Sequence, residues 1–311
     1  MSGHPVIAVV GATATGKSEL GIRLAQKLDG EVINADAMQL YKGMDIGTGK
    51  VPSEDRHGIR HHLLDVLSVR DTASVSVYQK HARRIISDIT ARGKQPIVVG
   101  GSGLYVRAIF DDMNFPPTDA TIRSRLEEEA RESGIEVLYA RLSRKDPDAA
   151  AKISAYDLRR IVRALEVIDI TGNSFSAHLP QHQSVIPSTW IGLSCDRNAL
   201  AERIHNRVHN MMDTGWVEEV KQLVEDGLCE GTTAPRALGY AQLLDYLSGK
   251  LTVHEAVEDT ITRTRQFAKR QNTWFRRDSR ITWYSSEEPT GKIIHRVLGA
   301  TLHDHGSGVD C

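Results

Sequence analysis

Residues 6–10, "VIAVV", run into "GATATGKS", Gly11–Ser18, and an amphipathic stretch begins at Glu19. The spacing Gly-x-x-x-x-Gly-Lys-Ser between an apolar strand and a helix is that of a phosphate-binding loop. No other feature restricts the fold as strongly. Such a loop works only when backbone amides turn inward over phosphate oxygens and a helix N-terminus points its dipole at them. It therefore demands strand, turn and helix in that order. Gly11, Ala12, Thr13, Ala14, Thr15 and Gly16 would form the cradle, Lys17 the charge on the phosphates, and Ser18 the ligand to Mg²⁺. The motif leaves open whether the phosphate is a phosphoryl donor or a leaving group.

The same pattern recurs along the first third. "EVINAD" (31–36) reads as a second strand ending on a carboxylate. A helix is expected over 75–91, with Tyr78, Ala82, Ile85, Ile86 and Ile89 on one stripe. Ile97–Val99 form a third strand, closed by the turn Gly100-Gly101-Ser102-Gly103. Strands alternating with helices predict an α/β protein with a parallel sheet flanked by helices. Ligands of such sheets sit at the carboxyl ends of the strands. The phosphate loop, Asp36 and Ser102 all fall there and should meet in one cleft. Asp36 could help hold Mg²⁺, act as a general base, or merely cap a helix.

Beyond Pro116-Pro117 the texture changes, and 121–172 reads as charged helix. An inserted helical subdomain over 116–185 is expected to interrupt a core made of 1–115 and 186–290. Within the core, 189–195 is a fourth strand. Helical stripes follow at Leu200, Ile204, Val208 and Met212, then at Trp216, Val220, Leu223 and Val224. A long helix should span about 253–275, and 291–311 is expected to be a flexible tail.

Composition narrows the partners. Thirty-nine basic and forty acidic residues leave a net charge of -1 over 311 residues, so only local clusters can bind a polyanion. One such cluster is Arg263, Arg265, Lys269, Arg270, Arg276, Arg277 and Arg280, interleaved with Phe267, Trp274 and Phe275. A basic helix with aromatics suits a phosphate backbone with splayed bases; an amphipathic helix with Phe267 and Trp274 in the core would look the same. Cys195, Cys229 and Cys311 are far apart, which fits reduced thiols and no structural zinc. No segment reads as a signal peptide or membrane span, so a cytoplasmic monomer without a membrane partner is expected. His205 and His209 lack the glutamate of a zinc protease helix and read as a surface pair. His61 and His62, being adjacent, point in different directions.

Taken together, "GATATGKS", "NADAMQLYKGMDIGTGK", "HHLLD", "VGGSGLY", "DLRRIVRALEV", "RALGY" and "TRTRQFAKRQNTWFRR" occur in this order. The ordered set resembles the bacterial tRNA dimethylallyltransferases, or tRNA isopentenyltransferases, over residues 6 to about 285. The resemblance implies a nucleotide-kinase-like fold. It also implies transfer of the dimethylallyl group of dimethylallyl diphosphate to N6 of adenosine 37, beside the anticodon of tRNAs reading codons that begin with U. The loop would then hold a leaving diphosphate, with Mg²⁺ as cofactor.

Site roles follow from the same resemblance. Asp36 would be the general base on the adenine amine, and Ser102, where the family usually has Thr, would hydrogen-bond near the reacting atoms. Gln39 would read the base. Arg160 and Arg236 would contact the diphosphate. The tRNA anticodon stem-loop would be held through Asp36, Ala37, Met38, Gln39, Ser102, Ser124, Arg159, Arg160, Arg163, Arg265 and Arg270, with Lys152 nearby on the insertion. Two positions depart from the family pattern: Ala37 replaces the usual Ser, and Gly49 the usual Ala.

Rival readings remain at this level. A small-molecule kinase also has the loop, an Asp after the second strand and a glycine turn after the third, but needs no basic aromatic helix. A prenyltransferase of free adenine nucleotides needs no long basic surface. An RNA-binding module with a nucleotide switch would not need Asp36 and Ser102 beside the loop.

Overall fold

A computed structural model describes residues 5–175 and 184–303, with side chains to 299. The chain forms two compact units, one running to Phe110 and resuming at Ile186, the other Asp111–Val185.

The first unit is built on six parallel strands: β1 Val6–Gly11, β2 Gly30–Asn34, β3 His61–His62, β4 Gln95–Gly100, β5 Ser188–Ser194 and β6 Ile281–Ser285. Their order is β3-β2-β4-β1-β5-β6, which places the strand feeding the phosphate loop between β4 and β5. Strands covered on both faces read as continuous apolar runs, and β1 and β4 are buried throughout. Alternate residues go to opposite faces. Val6, Ala8 and Val10 join Ala82, Ile86 and Ile89 of α2 (Val75–Ala91) and Val106, Ile109 and Phe110 of α3 (Gly103–Phe110), which α1 (Lys17–Lys27) precedes. Ile7 and Val9 meet Leu20, Leu24 and Ala25 of α1 on the other face.

The second unit is helical. It comprises α4 (Ala120–Ser133), α5 (Ile135–Lys145), the single turn α6 (Pro147–Ala150) and α7 (Leu158–Thr171). Leu126, Leu138, Leu142, Ile161 and Leu165 form its core. Asp119 caps α4 through the Thr121 and Ile122 amides, and Asp157 caps α7 through the Arg160 amide.

Back in the first unit, α8 (Arg197–Asp213), α9 (Trp216–Glu225), α10 (Tyr240–Leu247) and α11 (Val253–Phe275) share a core of Val208, Trp216, Tyr240, Leu243 and Ile261. Thr252 and Glu255 form a reciprocal capping box that starts α11. Met211, not Met212, completes the buried stripe of α8, and Val224 is exposed. The flexible tail expected from 291 needs correction. Thr290–His303 form a helix, α12, whose Ile293, Ile294 and Val297 are buried on the α1 face of the sheet. Residues 304–311 lie outside the described residues. Both β3 and β6 escaped the sequence reading: β3 has only two residues, and β6 follows directly on the basic cluster. No helix among the described residues is long and apolar enough to cross a membrane.

Candidate active site

The phosphate loop follows the end of β1, and Gly16 caps α1 with φ 86°. Inside the turn the Ala12 carbonyl accepts from Thr15 Oγ1 at 2.8 Å and from Lys17 Nζ at 2.6 Å. Those bonds hold Lys17 folded back over the turn. Burial pushes its ammonium down to about 8, opposed by the charge of Asp36 and reinforced by that of Arg207. A cation poised this way gains from any anion that enters.

The other two strand ends close on the loop. Asn34, the last residue of β2, accepts the Asp36 amide at 2.9 Å and donates to the Asp36 and Leu63 carbonyls. Asp36 Oδ1 accepts the Met38 amide at 3.0 Å. Oδ1 thus ties the carboxylate to the start of the short turn Met38–Leu40 and leaves Oδ2 outside that bond. Ser102, after β4, accepts the Ala37 amide on its hydroxyl at 3.2 Å. Gln271 on α11 locks the arrangement, accepting the Thr13 amide at 2.9 Å and donating to the Gly101 carbonyl at 2.8 Å.

Two cavities flank Asp36. One, of about 280 Å³, is lined by Lys17, Ser18, Asn34, Gln39, Gly101 and Gln271 among others. The second, of about 560 Å³, has Ser102, Met211, Trp216, Arg236, Phe267 and Arg270 on its walls. Thr13, Asp36, Thr48 and Arg207 line both. The first suits a polyanion; the second offers apolar and aromatic surface rimmed with cations.

Arg207 is the residue that sequence reasoning missed. It sits on α8 and donates through Nη2 to the Thr48 carbonyl at 3.2 Å. Burial lowers its pKa, and Asp36 opposes the shift. The available signal was its place at the margin of the apolar stripe Leu200, Ile204, Val208. Gln271 gave a similar signal, standing between Ala268 and Phe275 on the buried face of α11.

The remaining expected residues are placed as follows. Gln39 lines the first cavity, its amide within 3.3–3.4 Å of the Thr48 and Gly49 carbonyls. Arg236 lines the second cavity rather than that of the loop. Arg270 lies over the Phe267 ring at 5.9 Å, and Arg265 is exposed. Of the α11 aromatics Phe275 is the buried one, whereas Trp274 is 40% exposed. In the second unit Ser124, Lys152, Arg159 and Arg160 are exposed. Arg163 is engaged within its own unit. Its guanidinium bonds the Pro116 and Pro117 carbonyls and the fully buried Glu166, so it ties the unit's own entry segment to α7. His62 pairs with Glu31 at 2.7 Å and is structural. The His205 and His209 rings touch in a tilted pair, centroids 4.4 Å apart. No cluster of three His, Cys, Asp or Glu side chains that could hold a metal occurs among the described residues.

The family model described as IPP transferase matches residues 39–278. A tRNA dimethylallyltransferase of Kocuria rhizophila is 53% identical over 287 residues, covering 92% of this chain and 91% of its own. One from Pseudarthrobacter chlorophenolicus is 55% identical over 299 residues, covering 96% and 99%. Among solved structures, a tRNA isopentenylpyrophosphate transferase of Bacillus halodurans is 37% identical with TM-score 0.72, over 96% of this chain and 97% of that one. A eukaryotic dimethylallyltransferase acting on tRNA is 29% identical with TM-score 0.83, over 96% and 79%.

Proposed function

The chain belongs to the IPP transferase family, and on that premise we propose that it transfers a dimethylallyl group from dimethylallyl diphosphate to N6 of adenosine 37 in tRNAs reading UNN codons. The observation that carries this reading is the position of Asp36 in the wall common to two cavities, one built for a diphosphate and one with aromatic and cationic walls.

The chemistry follows from those residues. The bond between the allylic carbon and the diphosphate oxygen breaks as N6 attacks that carbon. Negative charge grows on the phosphate oxygens, where loop amides, Lys17 and Arg207 stabilise it as it develops. The adenine amine is a weak nucleophile because its lone pair is delocalised into the ring. Oδ2 of Asp36 would orient it and take its proton. The Ser102 hydroxyl accepts from Ala37 and retains its own proton to donate toward the reacting atoms. Adenosine 37 must leave its stack to reach this wall, and Gln39 would hydrogen-bond its edge.

Mg²⁺ fits this donor set. Ser18 brings its hydroxyl to the loop cavity at the start of α1, and an ion that keeps waters and takes phosphate oxygens needs few protein ligands. When bound it would neutralise part of the diphosphate charge. Arg236, on the wall of the second cavity, would reach toward the diphosphate, and Arg265 and Arg270, with Ser124, Arg159 and Arg160 of the helical unit Asp111–Val185, would hold the anticodon stem-loop. The protein would act as a cytoplasmic monomer.

Radiolabelled dimethylallyl diphosphate with Mg²⁺, offered to unmodified tRNA containing A36-A37-A38, to the same tRNA with guanosine at 37, and to AMP, tests the reading. Label on the first alone is expected. Label on AMP would make this a nucleotide prenyltransferase. ATP hydrolysis with no transfer would return the loop to a kinase role.

A further inference from the structure

Glu219 on α9 has no place in the reading above, yet its carboxylate makes an unusual set of bonds. Oε2 accepts the Asp45 amide at 3.0 Å and the Ile46 amide at 2.7 Å; Oε1 accepts the Gly47 amide at 3.4 Å and the Tyr240 hydroxyl at 2.6 Å. Three successive amides turned on one anion form a nest of the kind that binds phosphate, here filled by a side chain from another element. The segment so held continues into Thr48, whose carbonyl receives both Arg207 and Gln39. A Cβ on Gly47 would lie 2.3 Å from Trp216 Nε1, so the loop lies flat on the indole as well.

We propose that Glu219 is a positioning residue for the transfer reaction. By filling the 45–47 nest it fixes the Thr48 carbonyl, and through that carbonyl the Arg207 guanidinium between the two cavities. This rests on the functional reading above. Arg207 contributes its charge only if its guanidinium is held where charge develops, since preorganised groups cost no reorganisation at the moment of reaction. Releasing the loop would let Arg207 relax without removing any group that touches substrate.

The test uses the full chain with Glu219→Gln and Glu219→Ala. Three quantities are measured: binding of inorganic pyrophosphate by calorimetry, the steady-state constants for donor and tRNA, and the melting temperature. A donor kcat/KM lowered at least about tenfold in both variants is expected, with pyrophosphate affinity reduced several-fold and KM for tRNA within about threefold of wild type. Glu219→Gln keeps one acceptor oxygen and should fold even where the alanine variant does not. Kinetic constants and pyrophosphate affinity equal to wild type, with only a lower melting temperature, would reduce Glu219 to a structural tie and overturn the proposal. Wild-type protein that binds pyrophosphate but labels no tRNA would reject the functional reading instead; Glu219 would then stand or fall on the pyrophosphate data.

Discussion

The Ala37 amide donates to Ser102 Oγ at 3.2 Å, joining the segment after β2 to the segment after β4. The bond occupies the hydroxyl as acceptor and leaves its proton for a substrate atom. Ser102→Ala should therefore lower kcat by one to two orders of magnitude, about 1.5–3 kcal/mol of barrier. Ser102→Thr keeps the hydroxyl and should retain most turnover. Single-turnover rates with saturating tRNA would separate the two; equal loss in both would point to packing.

Asp36 divides its carboxylate between a backbone amide and the cavities. Asp36→Asn keeps the Met38 bond on its carbonyl oxygen but cannot take a proton. Transfer should fall by at least about 10²-fold, while tRNA affinity from filter binding changes little. Turnover near wild type would remove Asp36 as the base.

Lys17 titrates near 8 because of its burial. The sign is fixed by the charged form being the one that binds. Below that value the loop is cationic and donor affinity is flat. Above it the free loop must take up a proton to bind, and affinity falls by at most about tenfold per pH unit. The last ionisation of a phosphate ester lies near 6, so the donor's charge is constant across this range. Dimethylallyl diphosphate affinity measured between pH 7 and 9.5 should show this fall. Lys17→Arg should flatten it, since a guanidinium stays charged.

Gly49 has φ 60°, and a Cβ there would lie 2.0 Å from Arg207 Nη2. Alanine, the residue usual at this point in the family that the sequence resembles, would displace the guanidinium from the Thr48 carbonyl. The backbone strain alone costs about 1–2 kcal/mol. Gly49→Ala should lower the melting temperature and raise the donor KM several-fold. An unchanged KM would mean that Arg207 has a second equally good seat.

In β2, Glu31 is held down to about 2, mainly by hydrogen bonds from Arg92, with His62 adding and burial opposing. Its folded pKa lies below the ordinary carboxylate value of 4.5, so its contribution is full above 4.5 and lost as pH falls toward 2. Glu31→Gln should cost about 1–3 kcal/mol at neutral pH. In thermal melts the gap to wild type should close between pH 4.5 and 2. A constant gap would show that packing, not ionisation, is at stake.

Much of the centre was legible because periodicity and turn chemistry wrote it twice. Strand β1 and helix α1 flank a loop whose spacing is itself diagnostic, and Asp36 and Ser102 stand where apolar runs stop. What stayed hidden were polar groups at the margins of helical stripes. Arg207, Gln271 and Glu219 each neighbour buried positions, and in a one-dimensional pattern a margin looks the same whether it meets solvent or a cavity. Helix α12 was misread for another reason. Ile293, Ile294 and Val297 carry the helical spacing, but the glycines and histidines just beyond them dominated the impression of the tail.

Where the second unit begins and ends, Asp111 and Ser184 form an isolated antiparallel bridge. Its two chain ends therefore meet within one residue pair. No strand of the sheet and no residue of the phosphate loop comes from between them. A short turn joining Asp111 to Ser184 could replace everything from 112 to 183 without breaking a single ladder of the sheet. The stretch that carries α4 to α7 could thus be enlarged or exchanged while the order of the sheet and the phosphate loop stay as they are.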